Sequence, residues 1–279
     1  MAVIAVVFDF DDTLIPDSTT ALLESAGVDS GEFWTKLAPA LVREGYDPPL
    51  AYLRLILDRI GPDRPLGPLR NADLRQFGSN LDSSFFPGLP RLFTDLKREV
   101  AKFRDITVEF YIVSGGLEEV IGGSKIVSKH FTGFYGCQLG EDDAGILRYV
   151  KRCVTFTEKT RYLFEINKGI DPKKSRTQPH LVNNKVAERR VPFSQMVYVG
   201  DGLTDVPCFS LVRAGGGKTF GVFSKAKKSA KQAFQELLDT KRVDSLHSPD
   251  YRASADLGAL IRAAVTTVAA NIDLGREQT

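Results

Sequence analysis

The chain has 279 residues, enough for one large domain or two of ordinary size. Its 37 lysines and arginines nearly balance 35 acidic residues, and the net charge of +2 argues against a nucleic-acid-binding protein or an acidic tail. Three widely spaced cysteines indicate neither a disulfide framework nor a zinc motif. The N-terminal apolar run of residues 2–8 is too short for a signal peptide or a membrane span, so we expect a cytoplasmic protein with no membrane partner.

The first predicted element is that apolar run, which is rich in β-branched residues and typical of a strand buried on both faces. Three carboxylates follow it, on Asp9, Asp11 and Asp12. Ligands of open α/β sheets bind at the carboxyl ends of strands, and carboxylates this close together repel unless a cation lies between them. The stretch predicts a metal site; the alternative is a strand that ends in an acidic turn.

Residues 17–85 change to helical periodicity, and we interpret them as a helical insertion. Four helices are expected, beginning near Asp17 or Ser18, Ser30, Pro48 and Asn71.

A second α/β unit follows the insertion. An amphipathic helix at residues 89–103 leads into a buried strand at residues 107–113. Ser114, Gly115 and Gly116 come next, and we predict a turn there that leads into a helix. Such a turn offers backbone N–H groups and a hydroxyl to an anion, although an ordinary strand-to-helix turn has the same pattern.

Beyond this point the pattern predicts a β-hairpin beside the main sheet, formed by residues 135–139 and 147–154, and then a helix that begins at Glu158 and ends at Gly169. Asp201 and Asp205 follow a third predicted strand at residues 196–199. The last elements are a polar surface segment at residues 171–190, a strand at 219–223, a basic helix at 224–240, a short strand at 242–245 and a terminal helix from about 254. The lysines at 225, 227, 228 and 231 are interpreted as a solvated helix face and not as a nucleic-acid patch.

The motifs occur in the order Asp9-Phe10-Asp11-Asp12-Thr13, Ser114, Lys159 and Gly200-Asp201-Gly202-Leu203-Thr204-Asp205. This order resembles the haloacid dehalogenase (HAD) superfamily, and more closely its phosphoserine-phosphatase-like branch with a helical cap. The resemblance implies an α/β fold: a Rossmann-like three-layer core with a parallel sheet at residues 1–16 and 86–279, and an inserted helical cap at residues 17–85. It implies a Mg²⁺-dependent phosphatase that hydrolyses a small phosphorylated metabolite through an aspartyl-phosphate.

The residue types suit this chemistry. Asp9 could attack phosphorus as a carboxylate nucleophile. Asp11 lies two residues on and points the same way in extended backbone, so it could act as general acid and then as general base. Carboxylates of Asp9, Asp201 and Asp205, with the backbone carbonyl of Asp11, would suit Mg²⁺, although Asp205 could instead anchor the site from outside the ligand shell.

The phosphate oxygens have their own candidate ligands. The hydroxyls of Thr13 and Ser114, with the backbone of Gly115, could bind them, and Lys159 could neutralise charge in the transition state. Lys168 and Lys185 remain alternatives to Lys159, because residues 170–190 resemble an insertion that lengthens the spacing to Asp201.

Three alternatives stay open at this point. A phosphotransferase or a sugar-phosphate mutase would use the same aspartyl-phosphate, and a non-catalytic binding protein could keep the fold. Phosphoserine is not favoured as substrate, because Ser18 stands where phosphoserine phosphatases usually carry a glutamate.

Overall fold

The structure, a computed structural model, describes residues 1–223 and 243–277. The predicted basic helix at residues 224–240, with its four lysines, lies outside the described residues.

Seven described strands form one sheet in the order β4-β3-β2-β1-β5-β6-β7. All neighbours are parallel except β3 and β4, which are antiparallel. The strands are β1 (Ala2–Phe8), β2 (Ile106–Leu117), β3 (Gly133–Glu141), β4 (Leu147–Arg152), β5 (Met196–Gly200), β6 (Lys218–Val222) and β7 (Ser245–His247). The predicted α/β fold with a mostly parallel sheet is confirmed.

Strand β1 occupies the centre of the sheet, with β2 on one side and β5 on the other. Odd-numbered side chains from Val3 to Val7 pack into one hydrophobic cluster, and even-numbered side chains from Ile4 to Phe8 pack into the other. A strand with apolar residues at both parities can be buried on both faces, which is why β1 lies in the middle of the core.

Helices cover both faces of the sheet. Helix α6 and helix α12 pack on one face, and α9 and α11 pack on the other, so the core has three layers. The described α-helices are α1 (Ser18–Ser25), α2 (Ser30–Glu32), α3 (Ala38–Arg43), α4 (Pro48–Leu57), α5 (Asn71–Ser79), α6 (Arg91–Val100), α7 (Glu118–Gly123), α8 (Lys125–His130), α9 (Glu158–Lys168), α10 (Pro172–Thr177), α11 (Val206–Ala214) and α12 (Asp256–Glu277). A π-helical segment, Phe33–Leu37, joins α2 to α3.

Within the described residues, α12 is the one helix that by length and composition could cross a membrane. Its residues Leu257, Ile261 and Val265 are buried in the cluster that also contains the even-numbered side chains of β1. Arg262 donates a hydrogen bond of 3.1 Å to the Asp95 carboxylate on α6. These contacts are those of a core helix.

Two predicted elements differ from the structure. Strand β2 does not end at Val113 but runs to Leu117, so the predicted turn at residues 114–116 was wrong. The pairing shifts from Val113 opposite Tyr135 to Leu117 opposite Cys137, so four steps along β2 face two along β3. Small residues 114–116 tolerate this irregularity, which sequence periodicity does not reveal.

The predicted hairpin is present as β3 and β4, but it extends the main sheet instead of lying beside it. Strand β3 pairs with β2 through its first half and with β4 through its second half.

The predicted helical insertion is attached to the core by close backbone contacts. Helix α5 packs directly on α7, where a Cβ added to Gly78 would lie 2.0 Å from the carbonyl oxygen of Val120. The backbone N–H of Leu147 on β4 donates to the carbonyl of Leu69 at 3.0 Å. The division into a core and a cap at residues 17–85 stays a prediction.

We predict that Gly78→Ala destabilises the protein, because the added methyl group collides with the α7 backbone. Overpacking of this kind costs about 1–3 kcal/mol in the free energy of unfolding. Gly275→Ala is the matched control: a Cβ there meets nothing within 4 Å, and alanine favours a helix. Urea unfolding monitored by circular dichroism would measure both variants. Equal unfolding midpoints would contradict the close α5–α7 contact.

Candidate active site

Asp9 directly follows β1 at the carboxyl edge of the sheet. Its backbone N–H donates to the carbonyl of Val199 on β5 at 2.9 Å, so the ladder holds the residue in place. One carboxylate oxygen, Oδ1, accepts a hydrogen bond from the backbone N–H of Phe10 at 2.6 Å. The side chain is buried, and Oδ2 accepts from Lys159 at 2.6 Å. Both oxygens therefore have fixed partners.

Lys159 lies in the first turn of α9 and is only 1% exposed. Its Nζ atom lies 2.6 Å from Asp9 Oδ2, 2.7 Å from Asp205 Oδ1 and 3.3 Å from Thr204 Oγ1. The ammonium group thus bridges carboxylates from two strand ends. A buried lysine requires such partners, since burial alone would favour its neutral form.

The other two candidate lysines lie away from these carboxylates. Lys168 donates to the backbone carbonyls of Val182 and Asn184, in the polar segment that follows α9. Lys185 is exposed. Geometry therefore favours Lys159.

Asp205 is fully buried and is the second carboxylate partner of Lys159. Its Oδ1 also accepts from the hydroxyl of Tyr198 at 2.6 Å, and Oδ2 accepts from the backbone N–H of Gly202 at 3.2 Å. Asp205 does not line the cavity described below. Its contacts are those of an anchor for the lysine, one of the two roles the sequence left open.

Asp201 completes a cluster of three carboxylates, in which one ligand oxygen each from Asp9, Asp201 and Asp205 lies within 4.8 Å of the others. Burial, reinforced by the charges of Asp9 and Asp205, raises the pKa of Asp201 well above its usual range. Lys159 compensates only part of this negative charge. The donor set consists of oxygens alone, so it fits a hard cation such as Mg²⁺.

Asp11 follows Asp9 and lines the same cavity. Its Oδ1 accepts from the backbone N–H of Ser18 at 2.8 Å, and its Oδ2 lies against Gly116, where an added Cβ would approach to 2.3 Å. Burial, with a smaller contribution from the charge of Asp17, raises the pKa of Asp11 to about 8. The protonated carboxyl expected of a general acid is therefore the dominant form at neutral pH.

Asp9 titrates differently from Asp11. Burial raises its pKa to about 6, and the charge of Lys159 opposes this shift. Near pH 7 the two carboxyl groups are therefore pushed toward opposite states, Asp9 ionised and Asp11 protonated. Separation of this kind between neighbouring carboxyl groups assigns one as nucleophile or base and the other as acid.

Of the three predicted phosphate-binding residues, two line the cavity and one does not. Ser114 and Gly115 line the cavity, and Ser114 Oγ accepts from the backbone N–H of Gly116 at 3.0 Å. Thr13 is buried, does not line the cavity, and its Oγ1 has no hydrogen-bond partner among the described groups. Thr13 therefore lies beside the site without facing the cavity.

A cavity of about 280 Å³ opens onto these groups, between the strand ends and the helices of residues 17–85. Tyr52 on α4 donates a hydrogen bond from its hydroxyl to the carbonyl of Gly115. The cavity is lined by Asp9, Asp11, Asp12, Asp17, Thr19, Trp34, Pro48, Pro49, Tyr52, Ser114, Gly115, Gly116, Val154, Phe156, Lys159, Asp201 and Thr204.

Sequence reasoning missed the aromatic wall of this cavity. Trp34 and Tyr52 belong to apolar helical stripes, a pattern more typical of core residues than of a ligand site. Tyr198 was likewise hidden in a buried strand, although its hydroxyl reaches Asp205. No local signal separates such side chains from core residues; only the position of the helices over the strand ends does so.

Known proteins share part of this sequence and this fold. No family model matches the chain. An uncharacterized protein of Borreliella burgdorferi is 30% identical over 263 residues, with 84% of this chain and 88% of that protein covered. Two solved structures are similar at 17% identity. One is a HAD family hydrolase from Salmonella enterica serovar Typhi, with a TM-score of 0.54 over 84% of this chain and 69% of that one. The other is a probable phosphoserine phosphatase from Vibrio cholerae, with a TM-score of 0.56 over 96% of this chain and 66% of that one.

These similarities agree with the sheet order and with the strand-end motifs described above. The chain shares its fold with these HAD-family structures. At the level of the fold, the predicted resemblance is confirmed. The motif residues of three strand ends meet at one edge of the sheet, since Phe8 pairs with both Ile112 and Val199.

We predict that Lys159→Met lowers the free energy of unfolding by about 3–5 kcal/mol at pH 8, because it leaves buried carboxylates without their cation. The loss should be smaller at pH 5. Without Lys159 the pKa of Asp9 rises further, so between pH 4 and that pKa the native state binds more protons than the unfolded state, and stability falls as pH rises.

Urea unfolding at the two pH values measures this effect. The exposed Lys185→Met variant is the control and should stay within about 0.5 kcal/mol of the parent at both. An equal loss for Lys159→Met at pH 5 and pH 8 would contradict the bridging role.

Proposed function

We propose that this protein is a Mg²⁺-dependent phosphatase of the HAD superfamily that hydrolyses a small phosphomonoester through an aspartyl-phosphate on Asp9. The observation that carries the proposal is the bridge from Lys159 to Asp9 and Asp205 at the floor of a cavity that also exposes Asp11, Asp201 and Ser114. The phosphatase-type fold neighbours agree with it.

The first step forms a bond between an Asp9 carboxylate oxygen and phosphorus while the ester P–O bond breaks. Asp11 gives its proton to the leaving oxygen, and an alcohol departs. The raised pKa of Asp11 supports this role, since the residue is protonated before the step. Lys159 and the hydroxyl of Ser114 would neutralise the phosphoryl oxygens.

The second step consumes water. Asp11, now a carboxylate, takes a proton from water as the oxygen attacks phosphorus, and the bond between phosphorus and Asp9 breaks. The products are inorganic phosphate, the free Asp9 carboxylate and protonated Asp11, so the site returns to its starting state.

The oxygen-only donor set of Asp9, Asp201 and Asp205, with ligand atoms within 4.8 Å of one another, supports a divalent cation at this site. Asp9 and Asp201 would hold Mg²⁺ with the backbone carbonyl of Asp11, and Asp205 would keep Lys159 beside them. When bound, Mg²⁺ polarises a phosphoryl oxygen and offsets the negative charge of the cluster. The residues of the chain supply nucleophile, acid and base.

We predict that phosphate release from an aryl phosphate needs Mg²⁺ and stops after exhaustive chelation. Mg²⁺ should also raise the melting temperature of the parent protein, because it relieves repulsion among the carboxylates. Asp201→Asn should lose the activity and most of the thermal shift, whereas Asp143→Asn, in the exposed turn between β3 and β4, should keep both. Undiminished turnover without metal would exclude the assignment.

We predict that Asp11→Asn slows hydrolysis of an unactivated alkyl phosphate about 10²–10⁴-fold, the usual contribution of general acid–base catalysis. The effect on formation of the aspartyl-phosphate should be much smaller with a dinitrophenyl phosphate, whose leaving group needs no proton. Rapid-quench kinetics on both substrates separates the two steps.

Asp12→Asn is the matched control for this experiment. Asp12 has a φ of 54°, which asparagine tolerates, and it has no assigned chemical role. Its turnover should stay within a few-fold of the parent on both substrates. Equal rates for Asp11→Asn and the parent on the alkyl phosphate would refute the acid–base assignment.

A further inference from the structure

We propose that the cavity selects phosphomonoesters whose leaving group carries an apolar cation, such as the quaternary ammonium of phosphocholine. This inference rests on the proposed phosphatase function and names the substrate class of the same site. It follows from the charges of the cavity wall, from its aromatic faces and from the carboxylate of Asp17.

The charge of the lining excludes a second anionic group on the substrate. Of the described residues that line the cavity, Lys159 is the one with a basic side chain, and it is already bound to Asp9 and Asp205. Five of the lining residues are aspartates. The proposed Mg²⁺ would be bound to the phosphoryl group, so a carboxylate or a second phosphate on the leaving group would meet negative charge with no basic side chain of the lining to pair with it.

The wall formed by residues 17–85 offers aromatic faces but few hydrogen-bond donors. The indole N–H of Trp34 donates to Thr20 Oγ1 at 2.8 Å, and the hydroxyl of Tyr52 donates to the carbonyl of Gly115. Both donors are thus engaged within the protein, and they fix the orientation of their rings. The ring centroids lie 5.8 Å apart with an interplanar angle of 56°.

Two tilted rings of this kind form a corner that suits a cation. The face of an aromatic ring carries negative potential and attracts a weakly hydrated cation more strongly than a neutral group of the same shape. Phe156, partly exposed, adds a third aromatic ring to the cavity lining.

Asp17 adds a fixed negative charge to the same wall. It is the N-cap of α1, and its Oδ1 accepts from the backbone N–H of Thr20 at 2.7 Å. The cap holds the carboxylate in place, and Thr20 also accepts the hydrogen bond from Trp34, so the acid and the indole are positioned by one residue. A cation in the cavity would interact with both.

The test compares two phosphonates in which a CH₂ group replaces the ester oxygen, so that neither can be hydrolysed. One is the analogue of phosphocholine, and the other carries a tert-butyl group in place of trimethylammonium. With Mg²⁺ and the parent protein, titration calorimetry should give a Kd about tenfold lower for the cationic analogue. Because Trp34 is the one tryptophan of the chain, its fluorescence should change on binding.

Variants then assign the preference to its sources. Trp34→Leu keeps an apolar wall without the π face, and Asp17→Asn keeps the helix cap without the charge. Each should reduce the preference for the cationic analogue several-fold, and the neutral analogue should be affected less. Phe164→Leu is the matched control, since this ring lies on α9 against Phe193 and outside the cavity lining; its preference should equal that of the parent.

The results separate the two proposals. Equal or tighter binding of the neutral analogue, or a preference that survives both Trp34→Leu and Asp17→Asn, would overturn the substrate class even if aryl phosphates are hydrolysed. Tight, cation-selective binding without turnover of phosphocholine or of any other phosphomonoester would support the cavity assignment and count against the phosphatase proposal.

Discussion

The position of Lys159 between Asp9 and Asp205 is the interaction on which the rest of the site depends. Three carboxylates within 4.8 Å of one another, two of them buried, would repel, and the lysine offsets part of that repulsion from the first turn of α9. The same contact ties α9 to the end of β1 and to the segment after β5. The contacts of Lys159 therefore balance charge in the site and also fix the position of Asp9, the proposed nucleophile, at the end of β1.

The walls of the cavity depend on a second constraint, which is the close approach of the inserted helices to the core. Glycines at the α5–α7 contact allow backbone-to-backbone packing, and the hydroxyl of Tyr52 reaches the bulged end of β2 at Gly115. The helices thus bring aromatic faces to a floor made of charged groups. In the proposed function, the strand ends supply the chemistry and the inserted helices select the leaving group.

Much of this arrangement could be predicted from the sequence, because its causes are local. The unbroken apolar run before Asp9 indicates a central strand, and the run before Asp201 places another acid at the same edge. Pairing irregularities are not local: β2 continues through Ser114, Gly115 and Gly116, where it has two residues more than the facing part of β3. Thr13 has the residue type of a phosphate ligand, yet it is buried and is not part of the cavity lining. The sequence does not separate Trp34 and Tyr52 from core residues, because helix residues that face a cavity recur with the same periodicity as helix residues that face the core.

The most direct test of the account is to trap the covalent intermediate on the parent protein. Acid quench during turnover of an activated aryl phosphate, followed by borohydride reduction, converts an aspartyl-phosphate into homoserine, which peptide mass spectrometry locates. The account predicts homoserine at position 9 and an unmodified residue at positions 11, 12 and 201. Homoserine at any of those other positions, or none under conditions where phosphate is released, would contradict Asp9 as the nucleophile.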